Sequence, residues 1–179
     1  TSVSRGLGDV YKRQLLASIA IGSKKTIAID LSNEKLNLAH ELGADHILNP
    51  NDANFLERVR DLTSGGANIA IETAGSGRAL KTAYDITRRG GTTVAAGMPG
   101  PKVDITLSHL SIAAEERIIK GSYMGSCIAH RDIPKYLDMF QTGKLPVDRL
   151  LSRKITFEDL NAAMDRLDDA KTVREVLIP

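Results

Sequence analysis

With 179 residues, 42% hydrophobic and 26% charged, the chain can bury one good core, or one domain and part of another. A formal charge of +2 on dispersed basic residues excludes the one-sided basic stripe of a nucleic-acid binder. No stretch reads as a membrane span or secretory leader, the longest early apolar run being Leu15 to Ile21, so the cytoplasm is the expected compartment. The single cysteine, Cys127, excludes an internal disulfide and cannot alone make a zinc site, which needs three or four converging ligands.

Residues 1–14 read unlike the rest. The first strand of a doubly wound sheet is normally rich in Val, Ile and Leu, whereas Thr1-Ser2-Val3-Ser4-Arg5 offers only Val3. Gly6 and Gly8 fit the first two positions of a G-x-G-x-x-G dinucleotide turn. Tyr11 occupies the third, where a phenol ring is expected to hold the helix off the strand. Asp9-Val10-Tyr11-Lys12-Arg13-Gln14 looks like an adapter read-through scar, which makes Gly6-Leu7-Gly8 a coincidence and leaves the first strand missing or degraded.

From Leu15 onward helical and strand patterns alternate. Leu15, Leu16, Ile19 and Ala20 recur at helical spacing up to Gly22, and Thr26-Ile27-Ala28-Ile29 follows as a buried parallel strand ending on Asp30. Leu36, Ala39 and Leu42 mark a helix closed by Gly43, after which Asp45 to Leu48 is a short strand stopped by Asn49-Pro50. Phe55, Leu56, Val59 and Leu62 predict a helix ended by Ser64-Gly65-Gly66, and Asn68 to Glu72 the next strand. Ser76 is suited to cap a helix carrying Leu80, Ala83 and Tyr84, which ends in Gly90-Gly91 before the strand Thr92 to Gly97. Ile118 to Tyr123 is a further strand. This alternation predicts an α/β fold, a doubly wound parallel sheet with helices on both faces. In the tail, Asp132 is expected to cap a helix bearing Tyr136, Leu137 and Phe140 that stops at Gly143. Thr156 to Asp159 has capping-box form before Leu160, and Val173 to Ile178 is a strand with no neighbour expected in this chain.

The strand that stops on Asp30 carries the clearest chemical signal. A carboxylate at the carboxyl end of a parallel strand meets the crevice where ligands of such sheets bind. It can take both hydroxyls of an adenosine ribose and would repel a 2′-phosphate, which points to NAD rather than NADP. The alternative is that Asp30 caps the next helix or ends the strand in water.

The segments Ile27 to Leu36, Glu72-Thr73-Ala74-Gly75, Arg89 to Gly97 and Lys120 to Gly125, with Leu145-Pro146-Val147-Asp148 and Val173-Arg174, resemble the cofactor domain of the medium-chain, zinc-dependent alcohol dehydrogenases. The resemblance runs from Leu15 to Pro179. It implies a Rossmann-like sheet, NAD as cofactor, and hydride transfer between NAD and a small-molecule alcohol or aldehyde. It divides the chain into the scar of residues 1–14, an NAD-binding domain over 15–143, and a segment, 144–179, returning to a catalytic domain absent from this sequence. By the same resemblance Asp30 and Lys35 hold the adenosine ribose, and Thr73 and Ala74 line the adenine pocket. Ala96, Gly97 and Met98 border the nicotinamide, where a side chain at position 97 would crowd the ring. Ser122 and Met124 meet the carboxamide end, and Arg174 sits near the pyrophosphate. Gly6 and Gly8 remain the candidates for the phosphate turn. The structural alternative is a solvated Lys35 and Arg174, with small strand-end residues chosen for packing.

In that family the catalytic zinc is held by Cys, His and Cys from the part of the chain before the cofactor domain. Zinc is therefore expected in the full-length parent only, no catalytic residue is assigned, and the isolated chain is expected to be inactive. His40, His46, His109 and His130 show no ligand spacing with a third donor. The resemblance also implies a homodimer or tetramer of the full-length protein, joined near Lys102 to Tyr123, with Val103, Ile105, Leu107, Ile118 and Ile119 as an apolar edge. Loss of the first strand, central in the 3-2-1-4-5-6 order, would leave two half-sheets. The rival readings are a non-catalytic nucleotide-binding or dimer-forming fragment and a zinc-free quinone reductase relative, whose usual NADPH is disfavoured by Asp30. An S-adenosylmethionine methyltransferase is a third, and Lys35 and the Gly90-Gly91 strand fit it poorly.

Overall fold

Thr26-Ile27-Ala28-Ile29 forms the strand that its β-branched composition predicts, and all four residues are buried. Ile27 and Ile29 enter the core on one face of the sheet and Ala28 the core on the other, as the two-residue period of a strand requires. The structure, a computed structural model, describes residues 2–6, 8–166 and 174–178, with side chains from Lys12 onward. In chain order the elements are β1 (Ser2–Gly6), α1 (Gly8–Ala20), β2 (Thr26–Ile29), α2 (Asn33–Glu41), β3 (His46–Leu48), α3 (Phe55–Thr63), β4 (Ala67–Thr73) and α4 (Gly77–Ile86). They continue as β5 (Thr87–Ala95), α5 (His109–Ala114), β6 (Ile118–Gly121), α6 (Ala129–Gln141), β7 (Arg153–Ile155), α7 (Leu160–Asp165) and β8 (Glu175–Leu177).

Strands β1 to β6 form one parallel sheet in the order β3-β2-β1-β4-β5-β6, the doubly wound arrangement expected. One core packs Phe55, Val59, Ala83 and Ile86 of α3 and α4 against Ile27, Ile29, Leu48 and Ala70. The other packs Leu15, Leu16, Ala39 and Leu42 of α1 and α2 against Ala28. Ser76 caps α4 as its sequence context predicts, its hydroxyl accepting from the Ala79 N–H at 3.1 Å.

The first strand corrects an expectation. Its composition is degraded, yet β1 is present in the middle of the sheet, Ser2 to Ser4 alongside Thr26 to Ala28 and Ser2 to Gly6 alongside Ile69 to Thr73. The sheet therefore does not split, because backbone pairing to two neighbours needs no particular side chain. Nor does Tyr11 part the helix from the strand: α1 begins at Gly8, runs through Tyr11 and stays in contact with β1.

Other differences are local. Gly90-Gly91 does not end the helix before β5; the strand begins directly at Thr87, and the extra residues are taken up by a register shift between Ala67 and Ile69 of β4. Asp132 is not an N-cap. It lies within the first turn of α6, where its carboxylate accepts the Ile128 N–H at 2.9 Å and pairs with Arg131 at 2.7 and 2.8 Å. No side chain caps α7, whose N-cap is Asp159. The terminal strand does have a neighbour, since β8 pairs in parallel with β7 to make a separate two-stranded sheet. Arg166 braces that sheet by a bidentate pair with Glu175 at 2.9 and 2.8 Å. Between α6 and β7 the chain doubles back: Leu150 is buried in the α1–α2 core, and the Arg149 guanidinium donates to the Glu41 carbonyl at 2.8 Å. Among the described residues no helix is long and apolar enough to cross a membrane.

Candidate functional site

Because β1 to β6 are parallel, their carboxyl ends share one edge, and the predicted site residues collect there. Gly6 pairs with Thr73, and Ser4 pairs with Ala28, so that Gly6 and Asp30 each stand two residues beyond that pair. Ala95 pairs with both Glu72 and Gly121, which brings Ala96, Gly97 and Met98 beside Ala74 on one side and Ser122 on the other. The Ser122 N–H donates to the Ala95 carbonyl at 2.9 Å. Gly8 opens α1 immediately beyond β1, so the free N–H groups of that helix start at the middle of this edge.

Asp30 is 8% exposed, so it does not end its strand in water. Nor does it cap α2. Ser32 is the cap, accepting from the Lys35 N–H at 3.4 Å, while Asp30 Oδ1 accepts the Ser32 N–H at 2.9 Å. That bond fixes the carboxylate in orientation. Asn49 braces the same turn by donating to the Leu31 carbonyl at 3.1 Å. Lys35 is half-buried in the first turn of α2, and no ion pair among the described residues holds its ammonium. Thr73 is buried at the end of β4, whereas Met98 and Met124 are largely exposed, with Met124 at positive φ in a 3-10 turn. The Arg174 carbonyl accepts from the Ser152 and Arg153 N–H groups, which ties its backbone to the small sheet.

At Gly97 the neighbouring backbone itself demands glycine. A Cβ there would lie 2.2 Å from Gly75 N and 2.8 Å from Gly75 Cα, and one on Gly75, at φ +65°, would lie 2.5 Å from the Met98 carbonyl oxygen. The turns after β4 and β5 thus touch backbone to backbone. Glu72, 2% exposed, lies beneath both: its Oε1 accepts the Gly75 N–H at 2.7 Å and its carbonyl accepts the Ala96 and Gly97 N–H groups at 2.9 Å each. Glu72 stands in a sequence segment that marks the site, but its role depends on a contact between two distant turns that no local pattern discloses.

The histidines take no part in this edge. His40 and His46 line a cleft of about 520 Å³ with Asp45, Arg58 and Asp61. The backbone N–H and hydroxyl of Thr26 hold the Asp45 carboxyl below its usual pKa there. Among the described residues no three His, Cys, Asp or Glu side chains stand together as a metal site. The described residues therefore bring together no donor set for a catalytic zinc.

A parallel doubly wound sheet with an acidic residue at the end of its second strand and glycines at the ends of the first, fourth and fifth defines the Rossmann class of nucleotide-binding folds. The family model for zinc-binding dehydrogenases matches residues 14–142, and the chain belongs to that family. Alcohol dehydrogenase class-2 isozyme 2 of Oryctolagus cuniculus is 30% identical over 179 residues, covering 97% of this chain and 46% of that protein. The crystal structure of benzyl alcohol dehydrogenase from Acinetobacter calcoaceticus superposes with a TM-score of 0.93 at 28% identity, over 99% of this chain and 49% of that one. A protein from Sinorhizobium meliloti 1021 described as a zinc-binding dehydrogenase and bound to NADP superposes with a TM-score of 0.86 at 25% identity, over 100% of this chain and 52% of that one. The chain spans about half the length of the curated relatives it matches.

Proposed function

We propose that this chain is the cofactor-binding part of an alcohol dehydrogenase that uses NAD rather than NADP. The observation that carries the reading is Asp30, a nearly buried carboxylate fixed by the Ser32 N–H at the carboxyl end of β2. A carboxylate held there accepts from both ribose hydroxyls and opposes a 2′-phosphate by charge. Lys35 flanks the same ribose, Thr73 and Ala74 border the adenine, and the α1 N-terminus at Gly8 meets the pyrophosphate, with Gly6 leaving room for its approach. Arg174 adds a cation to that pyrophosphate. Ala96, Gly97 and Met98, with Ser122 and Met124, border the nicotinamide. The bound cofactor supplies the carbon that takes or gives hydride; the residues of this chain bind and orient it. The substrate is a small alcohol or aldehyde, and its pocket lies largely in the part of the relatives that this chain does not span.

Residues 15–143 form the dinucleotide domain and 144–179 return toward that missing part. The apolar stripe on α6, where Ile133, Tyr136, Leu137 and Phe140 are 41–55% exposed at helical spacing, supports a further surface that covers it. The family model begins at residue 14, but the relatives align over 97% of the chain and the solved structures over 99–100%, so the scar reading of residues 1–14 rests on their composition. Sequencing the source template upstream of Leu15 tests it: an uninterrupted frame encoding an apolar strand and an intact glycine turn supports the scar, and a frame that reads as given refutes it. Self-association runs through β6, an edge strand whose Ile118 and Ile119 are exposed, as is Val103, while Ile105 and Leu107 are half-buried. Light scattering that finds only monomer of the full-length protein refutes this. The free, exposed Cys127 suits a reducing cytoplasm.

The reading is tested by titrating the chain with NADH and NADPH. NADH is expected to bind at least about tenfold more tightly, and Asp30→Asn to reduce that preference to within about threefold. NADPH binding as tightly as NADH overturns the assignment. A second reading, a non-catalytic nucleotide-binding fragment, is favoured by the lack of a zinc donor set among the described residues. Alcohol oxidation by the chain alone would remove it.

A further inference from the structure

Glu72 is among the most deeply buried charged residues of the sheet, and no basic side chain among the described residues pairs with it. A carboxylate in a core costs desolvation free energy unless it accepts hydrogen bonds, and proteins seldom keep one there for packing alone. What Glu72 accepts is specific. Its Oε1 takes the Gly75 N–H at 2.7 Å, in the turn after β4. Its carbonyl takes the N–H groups of Ala96 and Gly97, in the turn after β5, at 2.9 Å each. Its Oε2 stands 2.9 Å from the point where a Cβ on Gly97 would lie. One residue thus grips both turns at the place where Gly75 and Gly97 touch.

We propose that Glu72 is a positioning residue for the nicotinamide end of the cofactor: through the Gly75 N–H it holds the β4–α4 turn against the end of β5, and so sets where the backbone of Ala96 to Met98 stands. The inference rests on the dinucleotide reading above. It separates Glu72 from Asp30, because the turn after β5, whose place Glu72 sets, borders the nicotinamide, whereas Asp30 serves the adenosine ribose and Thr73, beside the adenine, is held independently by its pairing with Gly6. It also assigns the work to the reach of the side chain rather than to its charge, since the acceptor contact is with a backbone N–H.

The test compares Glu72→Gln, which keeps an acceptor oxygen at the same reach, with Glu72→Asp, which keeps the charge and falls one methylene short. Affinities of the full chain for NADH and for ADP-ribose, which lacks the nicotinamide, are measured by calorimetry. In Glu72→Asp, NADH is expected to weaken about tenfold while ADP-ribose stays within about twofold; Glu72→Gln is expected to keep both within about threefold. Equal weakening of both ligands in Glu72→Asp, or a tenfold loss of NADH alone in Glu72→Gln, overturns the proposal. Absence of NADH binding by the wild-type chain overturns it together with the dinucleotide reading. Should the Asp variant not fold, hydrogen exchange on Glu72→Gln decides: retained protection of the Gly75 and Gly97 amides with an unchanged NADH to ADP-ribose ratio supports the proposal, and retained protection with a changed ratio overturns it.

Discussion

Replacing Gly97 by alanine adds one methyl group at the tightest backbone contact of the site. The new Cβ would stand 2.2 Å from Gly75 N, 2.8 Å from Gly75 Cα and 2.9 Å from Glu72 Oε2. An unstrained contact needs about 3.5 Å, so the two turns must part by roughly 1 Å or more. The obstacle is the Gly75 backbone on one side and the buried Glu72 carboxylate, itself hydrogen-bonded to Gly75, on another, so neither can swing away as an exposed side-chain end would. Parting the turns also stretches the bond from the Gly97 N–H to the Glu72 carbonyl and that from the Gly75 N–H to Glu72 Oε1. Overpacking of this kind and weakening of two hydrogen bonds together cost about 3 kcal/mol. Gly100 is the control, because a Cβ there meets nothing within 4 Å. Urea denaturation of both variants measures the difference: Gly97→Ala should lose about 3 kcal/mol and Gly100→Ala less than about 0.5 kcal/mol. A Gly97→Ala protein within about 1 kcal/mol of wild type would refute the packing argument.

Leu150→Ala should cost about 2–4 kcal/mol by thermal or urea unfolding, since that side chain is 3% exposed in the α1–α2 core; a loss below about 0.5 kcal/mol would mean that the returning segment does not dock there. Tyr84→Phe should cost only about 1 kcal/mol although Tyr84 is buried. Ser111 already donates its hydroxyl proton to the Ser108 carbonyl at 2.8 Å, so Tyr84 is the donor in the 2.7 Å bond between them and Ser111 keeps a partner when it is lost. The Arg131 guanidinium, followed by the Ile128 N–H, holds the Asp132 carboxyl well below its ordinary value of 3.8. A depressed folded-state pKa gives stability that is complete above the ordinary value and fades as pH falls through the lower one. Wild type and Asp132→Asn should therefore differ in unfolding midpoint at pH 6 and converge as the pH is taken below 3; a gap independent of pH would disprove the ion-pair account.

The parts of the fold legible in the sequence are those decided by neighbouring residues. Thr26, Ile27 and Ile29 are β-branched with only Ala28 between them, Ser76 precedes an amphipathic run, and the strand end at Asp30 carries its acid in plain view. β1 was illegible because Ser2, Ser4 and Arg5 carry no strand signal and its place is fixed by pairing with β2 and β4. The β7–β8 pair joins segments about two dozen residues apart, which periodicity does not register. Asp132 has the residue type of a cap, whereas the helix starts earlier and the carboxylate reaches back to Ile128. At the site, the strand-end residues were found individually, while the contact of Gly75 with Gly97 and the grip of Glu72 on both needed the register of β4 against β5.

The position of β1 also has a consequence for how the molecule assembles. It is the earliest strand of this chain to be synthesised, yet one of its two neighbours, β4, is completed only at Thr73. β1 to β3 pair as neighbours in sequence, and so do β4 to β6, each step through a crossover helix, so either half of the sheet can form from nearby segments. Within the six-stranded sheet it is the β1–β4 pairing that joins strands not consecutive in the chain, and it unites the two halves. Until it forms, the edges of β1 and β4 stay open to another copy of the chain.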